Sequence, residues 1–244
     1  MLSKTFKRIG KHHTNNCEDS VGSYQIGENR QLILVSDGCS MGNESHFASA
    51  LFNKILREIA KEEFYKEFGK KHQESLEDLL YSVCSRLFSR VKQVSVTTNL
   101  STTDLLATII ICVIDAQSNQ FEAIVIGDGL LAVDNKLYEY DQNNKPDYLG
   151  YHVEEEFDLW YKEQQQKMSG RVEKCIAIAT DGIFTFSNDV DELINHEKQE
   201  AIINTLLVDS SDLTDKELQN KMDQLLQDAG LSCNDDLAIA KVLL

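Results

Sequence analysis

The sequence predicts an α+β fold built in layers, with antiparallel sheets and helices that arrive in pairs. Apolar runs rich in β-branched residues mark strands in the middle and towards both ends of the chain. Two long amphipathic patterns follow one another directly between the first and second of those runs, and two more lie together near the C-terminus. A doubly wound parallel sheet needs a helix after each strand, and that alternation is absent, so layered antiparallel sheets fit better.

The strand-like runs occupy residues 32–36, 107–115, 121–126, 175–180 and 237–243, with a weaker alternating candidate at 21–26. Residues 44–68 place Phe47, Leu51, Ile55 and Ile59 on one face at four-residue spacing, and residues 76–91 repeat the pattern with Leu79, Leu80, Val83 and Leu87. A more polar helix is expected over 154–168, and two further helices over 191–207 and 214–229. Asn188 or Asp189 would cap the first of that last pair, and Thr214 with Glu217 has the spacing of a capping box for the second. With a single Pro, 12 Gly and no linker-like stretch in 244 residues, one domain spanning 1–244 is expected.

A formal charge of −16 disfavours nucleic acid or an anionic membrane surface as a main partner, because phosphate-rich partners require clustered Lys and Arg. The longest apolar stretch, 105–114, is too short to span a bilayer. The start of the chain is basic without an apolar run, so no secretory signal is read there and a cytoplasmic location is expected. The six cysteines are far apart and form no C-x-x-C pair, which favours reduced thiols over disulfides or structural zinc.

The informative feature is an apolar run that stops at Asp-Gly. It occurs three times, at Asp37-Gly38, Asp128-Gly129 and Asp181-Gly182. The acidic pair Glu18-Asp19 precedes the first candidate strand, and Asp235-Asp236 precedes the last. One Asp-Gly alone is a turn dipeptide. Several carboxylates at strand ends are a different matter, since strand ends can aim side chains into one cleft and converging carboxylates are costly without a cation. An all-oxygen set points to hard octahedral ions such as Mg²⁺ or Mn²⁺. Two such ions bridged by a water would make a hydroxide nucleophile and clamp a phosphoryl group for in-line attack.

The order and context of these segments resemble the PP2C (PPM) family of metal-dependent protein serine/threonine phosphatases, particularly its compact bacterial members, over almost the whole chain. Glu18-Asp19 is similar to the family's opening acidic motif. Asp37-Gly38 with Gly42, followed by Ser45, Ala48 and Ala50, is similar to its DGxG segment. The stretch Asp104 to Thr108 stands where the family has a Thr-rich strand start, Gly127-Asp128-Gly129 resembles the GDS/GDG motif, Thr180-Asp181-Gly182 the SDG motif, and Asp235-Asp236 the closing DN/DD motif.

The resemblance implies a four-layer α-β-β-α sandwich, two antiparallel sheets flanked by helices. It also implies two Mg²⁺ or Mn²⁺ ions, with a weaker third. Asp19 and Asp37 would stand nearest the bridging water, Gly38 would ligate through its carbonyl, Asp181 and Asp235 would hold the first metal, and Asp128 would join Asp181 at the third. Glu18 would act through waters, and Asp236, in a slot often filled by Asn, would be a neighbour and not a ligand.

An Arg that many members carry before the first motif is replaced here by Thr14, which leaves His12 or His13 to contact phosphate or give a proton to the leaving alkoxide. The Arg after the Gly-Asp motif is replaced by Leu130-Leu131, Ala238 stands where Thr is usual, and the polar segment 136–170, with Tyr148, Tyr151, Trp160 and Tyr161, occupies the variable flap position. Those aromatics are read first as packing for a surface helix or loop. The implied partner is a phosphorylated protein served by a cognate Ser/Thr kinase. Retention of every core carboxylate sets this reading apart from a non-catalytic sensor or binding module of the same fold. A hydrolase of small phosphoesters is the third option.

Overall fold

Near-continuous burial along the apolar runs decides the architecture, because residues alternating across such a strand must find a partner layer on both faces. The computed structural model describes residues 1–244 except 43, 68, 70–72, 143–144, 189, 212–213, 215 and 229. In chain order the elements are β1 (Leu2–Arg8), β2 (Ser20–Gln25), β3 (Arg30–Ser36), α1 (Phe47–Glu67), α2 (Leu76–Thr98), β4 (Ile109–Asp115), β5 (Gln120–Ile126), β6 (Gly129–Val133), β7 (Lys136–Tyr140), α3 (Leu149–His152), α4 (Phe157–Glu163), β8 (Lys167–Arg171), β9 (Cys175–Ala179), β10 (Phe186–Ser187), α5 (His196–Ile203), α6 (Glu217–Asp228), β11 (Ser232–Cys233) and β12 (Leu237–Leu243). Short 3-10 turns at Thr102–Leu105 and Asp181–Phe184 and a π turn at Asn204–Val208 complete the set.

Two five-stranded antiparallel sheets form, in the orders β1-β12-β9-β6-β7 and β2-β3-β4-β5-β8. Between them Ile33, Val35, Ile110 and Cys112 pack against Leu131, Ile176, Ile178 and Ala240. The alternate residues Leu32, Leu34, Ile109 and Ile111 turn the other way, onto Phe52 and Ile59 of α1 and Leu80, Val83 and Leu87 of α2. On the far side Ala132, Ala177 and Ile239 meet Ile202, Leu206, Leu218 and Met222 of α5, the π turn and α6. The layer order is therefore α-β-β-α, as expected. β4 is buried along all seven residues, which is why it reads as a continuous apolar run and not as an alternating one.

Antiparallel register sets the functional rim. Ser20 at the start of β2 pairs with Ser36 at the end of β3, and Ile109 at the start of β4 pairs with Ile126 at the end of β5. In the other sheet Ala179 at the end of β9 pairs with Ile239 near the start of β12, while Arg8 at the end of β1 pairs with Leu237. The acidic segments that flank these ends are brought together. Two glycines permit it through close approach: a Cβ on Gly38 would lie 1.9 Å from the Ser45 carbonyl oxygen, and one on Gly182 would lie 1.8 Å from that of Asp236. Of the three Asp-Gly glycines only Gly129, at φ 147°, has the positive φ that would have required glycine for conformation alone.

Several expected elements are corrected. The polar helix over 154–168 is only α4, and the chain then extends into β8, so Met168 lies on a strand. Helix α5 begins at His196 with Asn195 as its cap, the side chain accepting from Lys198 N at 3.0 Å. Asn188 instead accepts from the backbone of Val190 and Glu192 in a turn. Asp189 lies outside the described residues. The basic start of the chain, which carries no apolar run, is the edge strand β1. Its Lys4 is buried with Lys221 and Lys241 around Glu217, whose carboxylate, expected in a capping box with Thr214, joins α6 to both β1 and β12. Burial alone would push the Glu217 carboxyl up, but the lysines outweigh it and hold it below the usual carboxylate range.

All six cysteines are free, five of them buried. Among the described residues no helix is long and apolar enough to cross a membrane.

Gly182→Ala is expected to cost about 3 kcal/mol or more, because its Cβ meets backbone that cannot rotate away. Gly69→Ala, whose Cβ would find nothing nearer than 3.6 Å, serves as the neutral comparison in urea unfolding.

Candidate active site

Asp19 precedes β2, Asp37 follows β3, Asp128 follows β5, Asp181 follows β9 and Asp235 precedes β12, so five of the predicted carboxylates stand along one rim of the sandwich. Asp19 is 2% exposed. Its Oδ2 accepts from Thr180 Oγ1 at 2.6 Å, while its Oδ1 is buried with no hydrogen-bond donor. Burial first, then the charges of Asp181 and Asp236, push the Asp19 carboxyl up to about 8, against relief from Thr180 and from a shared contact with Asp37. Asp37 is driven well above the usual carboxylate range by burial, then by the charges of Asp19 and Asp181. Burial and the neighbouring Asp235 and Asp128 raise Asp181 to about 6. Asp128 is raised by burial and partly relieved by the Gln142 amide, which donates to its Oδ1 at 2.9 Å.

Burial is the strongest influence on each of these groups, and the charges of other rim carboxylates add to it at Asp19, Asp37 and Asp181. Such a cluster is stable in its ionised form only beside a cation. The orphaned Asp19 Oδ1 and the all-oxygen donor set fit a hard divalent ion. Among the described residues no three His, Cys, Asp or Glu side chains form a group that holds a metal by itself. The rim is an open set and not a closed cage, and Mg²⁺ suits that because it keeps several waters and takes few protein oxygens. The rim carboxylates that would offer oxygens to such an ion are Asp19, Asp37, Asp128, Asp181 and Asp235.

Asp236 has a different task. Its Oδ1 accepts from Gly10 N at 2.6 Å, its Oδ2 accepts from Glu18 N, and His13 Nδ1 lies 3.0 Å from that same Oδ2. The side chain is therefore spent on fastening the loop after β1 to the start of β12. Glu18 is also engaged locally, its Oε2 accepting from Ser40 Oγ at 2.8 Å and its carbonyl from Gly38 N at 3.2 Å.

The two histidines separate. His12 is exposed and only its backbone is fixed, N–H donating to the Asn234 carbonyl at 3.0 Å. His13 is half-buried with Nε2 3.7 Å from Asp235 Oδ1. Burial would lower its pKa, but Asp236, Glu18 and Asp235 outweigh that and raise it, a shift towards the imidazolium.

Leu130 and Leu131 are buried and bring no charge to the rim. In the 136–170 segment Trp160 packs on Phe88 with centroids 4.3 Å apart, which fixes α4 to α2 as the packing reading expected, and Leu149 N bonds the Ala107 carbonyl at 3.3 Å.

The sequence places Thr180 in a motif without showing its role. Thr180 donates to Asp19 and accepts from Ala238 N at 2.9 Å, tying the carboxylate to β9 and β12. The available signal was the hydroxyl residue that precedes Asp-Gly in two of the three repeats, Ser36 and Thr180.

The sequence model of the family described as Protein phosphatase 2C matches residues 9–227. No curated protein matches the sequence. Among solved structures, a bacterial serine phosphatase is similar over 100% of this chain and 97% of its own, with TM-score 0.64 and 13% identity. RsbX in complex with magnesium is similar over 99% of this chain and 94% of its own, at TM-score 0.56 and 15% identity. Serine/threonine phosphatase Stp1 from Staphylococcus aureus is similar over 100% and 95%, at TM-score 0.58 and 13% identity. At those identities the likeness is one of fold, and it is the layered fold described above. With the family match running over most of its length, the chain belongs to the protein phosphatase 2C family of serine/threonine phosphatases.

Proposed function

We propose that residues 1–244 act as one metal-dependent phosphatase domain that hydrolyses phosphoserine and phosphothreonine in proteins at the acidic rim. The observation that carries the reading is the carboxylate cluster of buried Asp19 with half-buried Asp37 and Asp181, each raised by burial and by the charge of other rim carboxylates, and the Asp19 Oδ1 that has no donor. Two Mg²⁺ or Mn²⁺ ions, when bound, would supply an acidified water and offset the charge of the phosphoryl group.

The chain's own residues do the rest. Asp37, Asp181 and Asp235 and the Gly38 carbonyl hold the ions, and Asp128 with Asp181 offers a weaker third position. Asp19, held by Thr180, orients the attacking water and takes its proton. As the ester P–O bond breaks, His13 gives a proton to the leaving Ser or Thr oxygen, and inorganic phosphate leaves. The partner is a phosphorylated protein supplied by a Ser/Thr kinase. The charge of −16 supports excluding nucleic acid, and we place the protein in the cytoplasm.

Purified protein with Mn²⁺ is expected to hydrolyse p-nitrophenyl phosphate and a phosphothreonine peptide, and to stop with EDTA. Asp37→Asn is expected to lose at least about 100-fold in turnover with its circular dichroism unchanged. Unchanged turnover in that variant, or indifference to chelator, contradicts the reading, and an inert wild type with metal bound supports a binding module instead.

His13→Gln is expected to slow the phosphothreonine peptide by about 100-fold and p-nitrophenyl phosphate far less, since p-nitrophenolate leaves without a proton. His12→Gln leaves both rates unchanged. Equal losses on the two substrates would remove His13 from the proton-donor role.

A further inference from the structure

A recess of about 300 Å³ lies between the β6–β7 hairpin and α5. Leu130, Leu137, Phe184 and Ile203 give it apolar lining, and Glu139 and Glu200 line it with carboxylates alongside Gln199 and the imidazole of His196. Leu130 is two residues beyond Asp128 and Phe184 three beyond Asp181, so two lining residues follow rim carboxylates closely along the chain. The adjoining strand β7 is the last of its sheet, and its Tyr140 end pairs with Gly129, so an extended chain laid along that free edge would lead to the rim.

Size and charge narrow the occupant. A volume of this order is at the low end for a small-molecule site and admits one long side chain, not a helix. Apolar lining beside two carboxylates matches an alkyl stem ending in a cation, the pattern of arginine or lysine. Glu139 and Glu200 are both exposed, and neither has an ion-pair partner among the described residues. In a second recess of similar size, at Glu44, Phe47, Leu100 and Asp104, the Asp104 carboxylate is already engaged, accepting from Ser101 N and Oγ at 2.8 and 2.6 Å.

We infer that the recess between β7 and α5 is a specificity site that takes an arginine or lysine side chain flanking the phosphorylated residue of the substrate. The inference rests on the phosphatase reading above and adds the class of sequence that the site selects.

The test uses the full chain with Mn²⁺, phosphothreonine peptides carrying one arginine at each position within about five residues of the phosphate, a reach set by the length of an extended chain, and a matched peptide with alanine throughout. At one or more positions arginine is expected to raise kcat/KM roughly fivefold to tenfold, the effect of two exposed ion pairs. Glu139→Gln/Glu200→Gln is expected to abolish that preference and leave p-nitrophenyl phosphate, which has no flanking residue, unchanged. Hydrolysis of p-nitrophenyl phosphate with no arginine preference, or a preference that survives the double substitution, overturns the specificity site alone. No hydrolysis of any substrate overturns the phosphatase reading, and anisotropy with the same peptides labelled then decides the site. Tighter, salt-sensitive binding of an arginine peptide that the double variant loses supports it, and equal binding of arginine and alanine peptides overturns it.

Discussion

Like charges gathered at one rim are the constraint around which this molecule is arranged. Two carboxylates about 4 Å apart repel by roughly 4 kcal/mol at the effective dielectric of a protein surface. A domain's whole stability is only about 5–15 kcal/mol. Asp19, Asp37 and Asp181, with Asp235 and Asp128 beside them, can therefore be held together only by a scaffold that fixes each of them independently of the others. The two sheets provide it: every one of these residues lies at or beside the end of a strand whose own residues are packed on both faces.

The rim is fastened by contacts that are not themselves carboxylate–metal contacts. Thr180 joins Asp19 to the strands that carry Asp181 and Asp235. Asp236 fastens Gly10 and Glu18 to the start of β12 and lies 3.0 Å from His13 Nδ1, so that His13 and not the exposed His12 stands against the rim. Gly38 and Gly182 let backbone from different segments approach to distances that a Cβ would forbid. Removing the charge of a ligand and disturbing one of these fastenings would both damage the site, the first through chemistry and the second through geometry.

Much of this was legible in one dimension because central strands and long helices carry strong periodicity. β3, β4, β5, β9 and β12 are apolar runs, and α1 and α2 are regular amphipathic patterns. Of the four edge strands only β2 was legible, as a weak alternating candidate. β1, β7 and β8 alternate with polar residues, and β1 even buries a lysine, because only a distant partner, Glu217, makes Lys4 acceptable there. That omission hid the position of His13, which follows from β1 lying antiparallel to β12. The Asp-Gly phrases pointed to the rim, while the reason for two of their glycines, close approach and not a turn, depends on segments far away in sequence. Asp235 and Asp236 could be told apart by the family resemblance, but the clamp role of Asp236 required the fold.

The central claim is that the rim carboxylates are unfavourable when ionised and become favourable beside a divalent ion. Stability against pH tests it most directly, by urea unfolding in EDTA and in Mn²⁺. Asp19 rises from an ordinary 3.8 to about 8 and Asp181 to about 6, so the folded metal-free state binds more protons than the unfolded one over that interval. Its stability must then fall as pH rises from about 4 to about 8. The account predicts a falling midpoint in EDTA, no such fall with Mn²⁺, and a shallower fall in Asp19→Asn. The same pH profile with and without Mn²⁺, or a metal-free midpoint that rises across the interval, would contradict it.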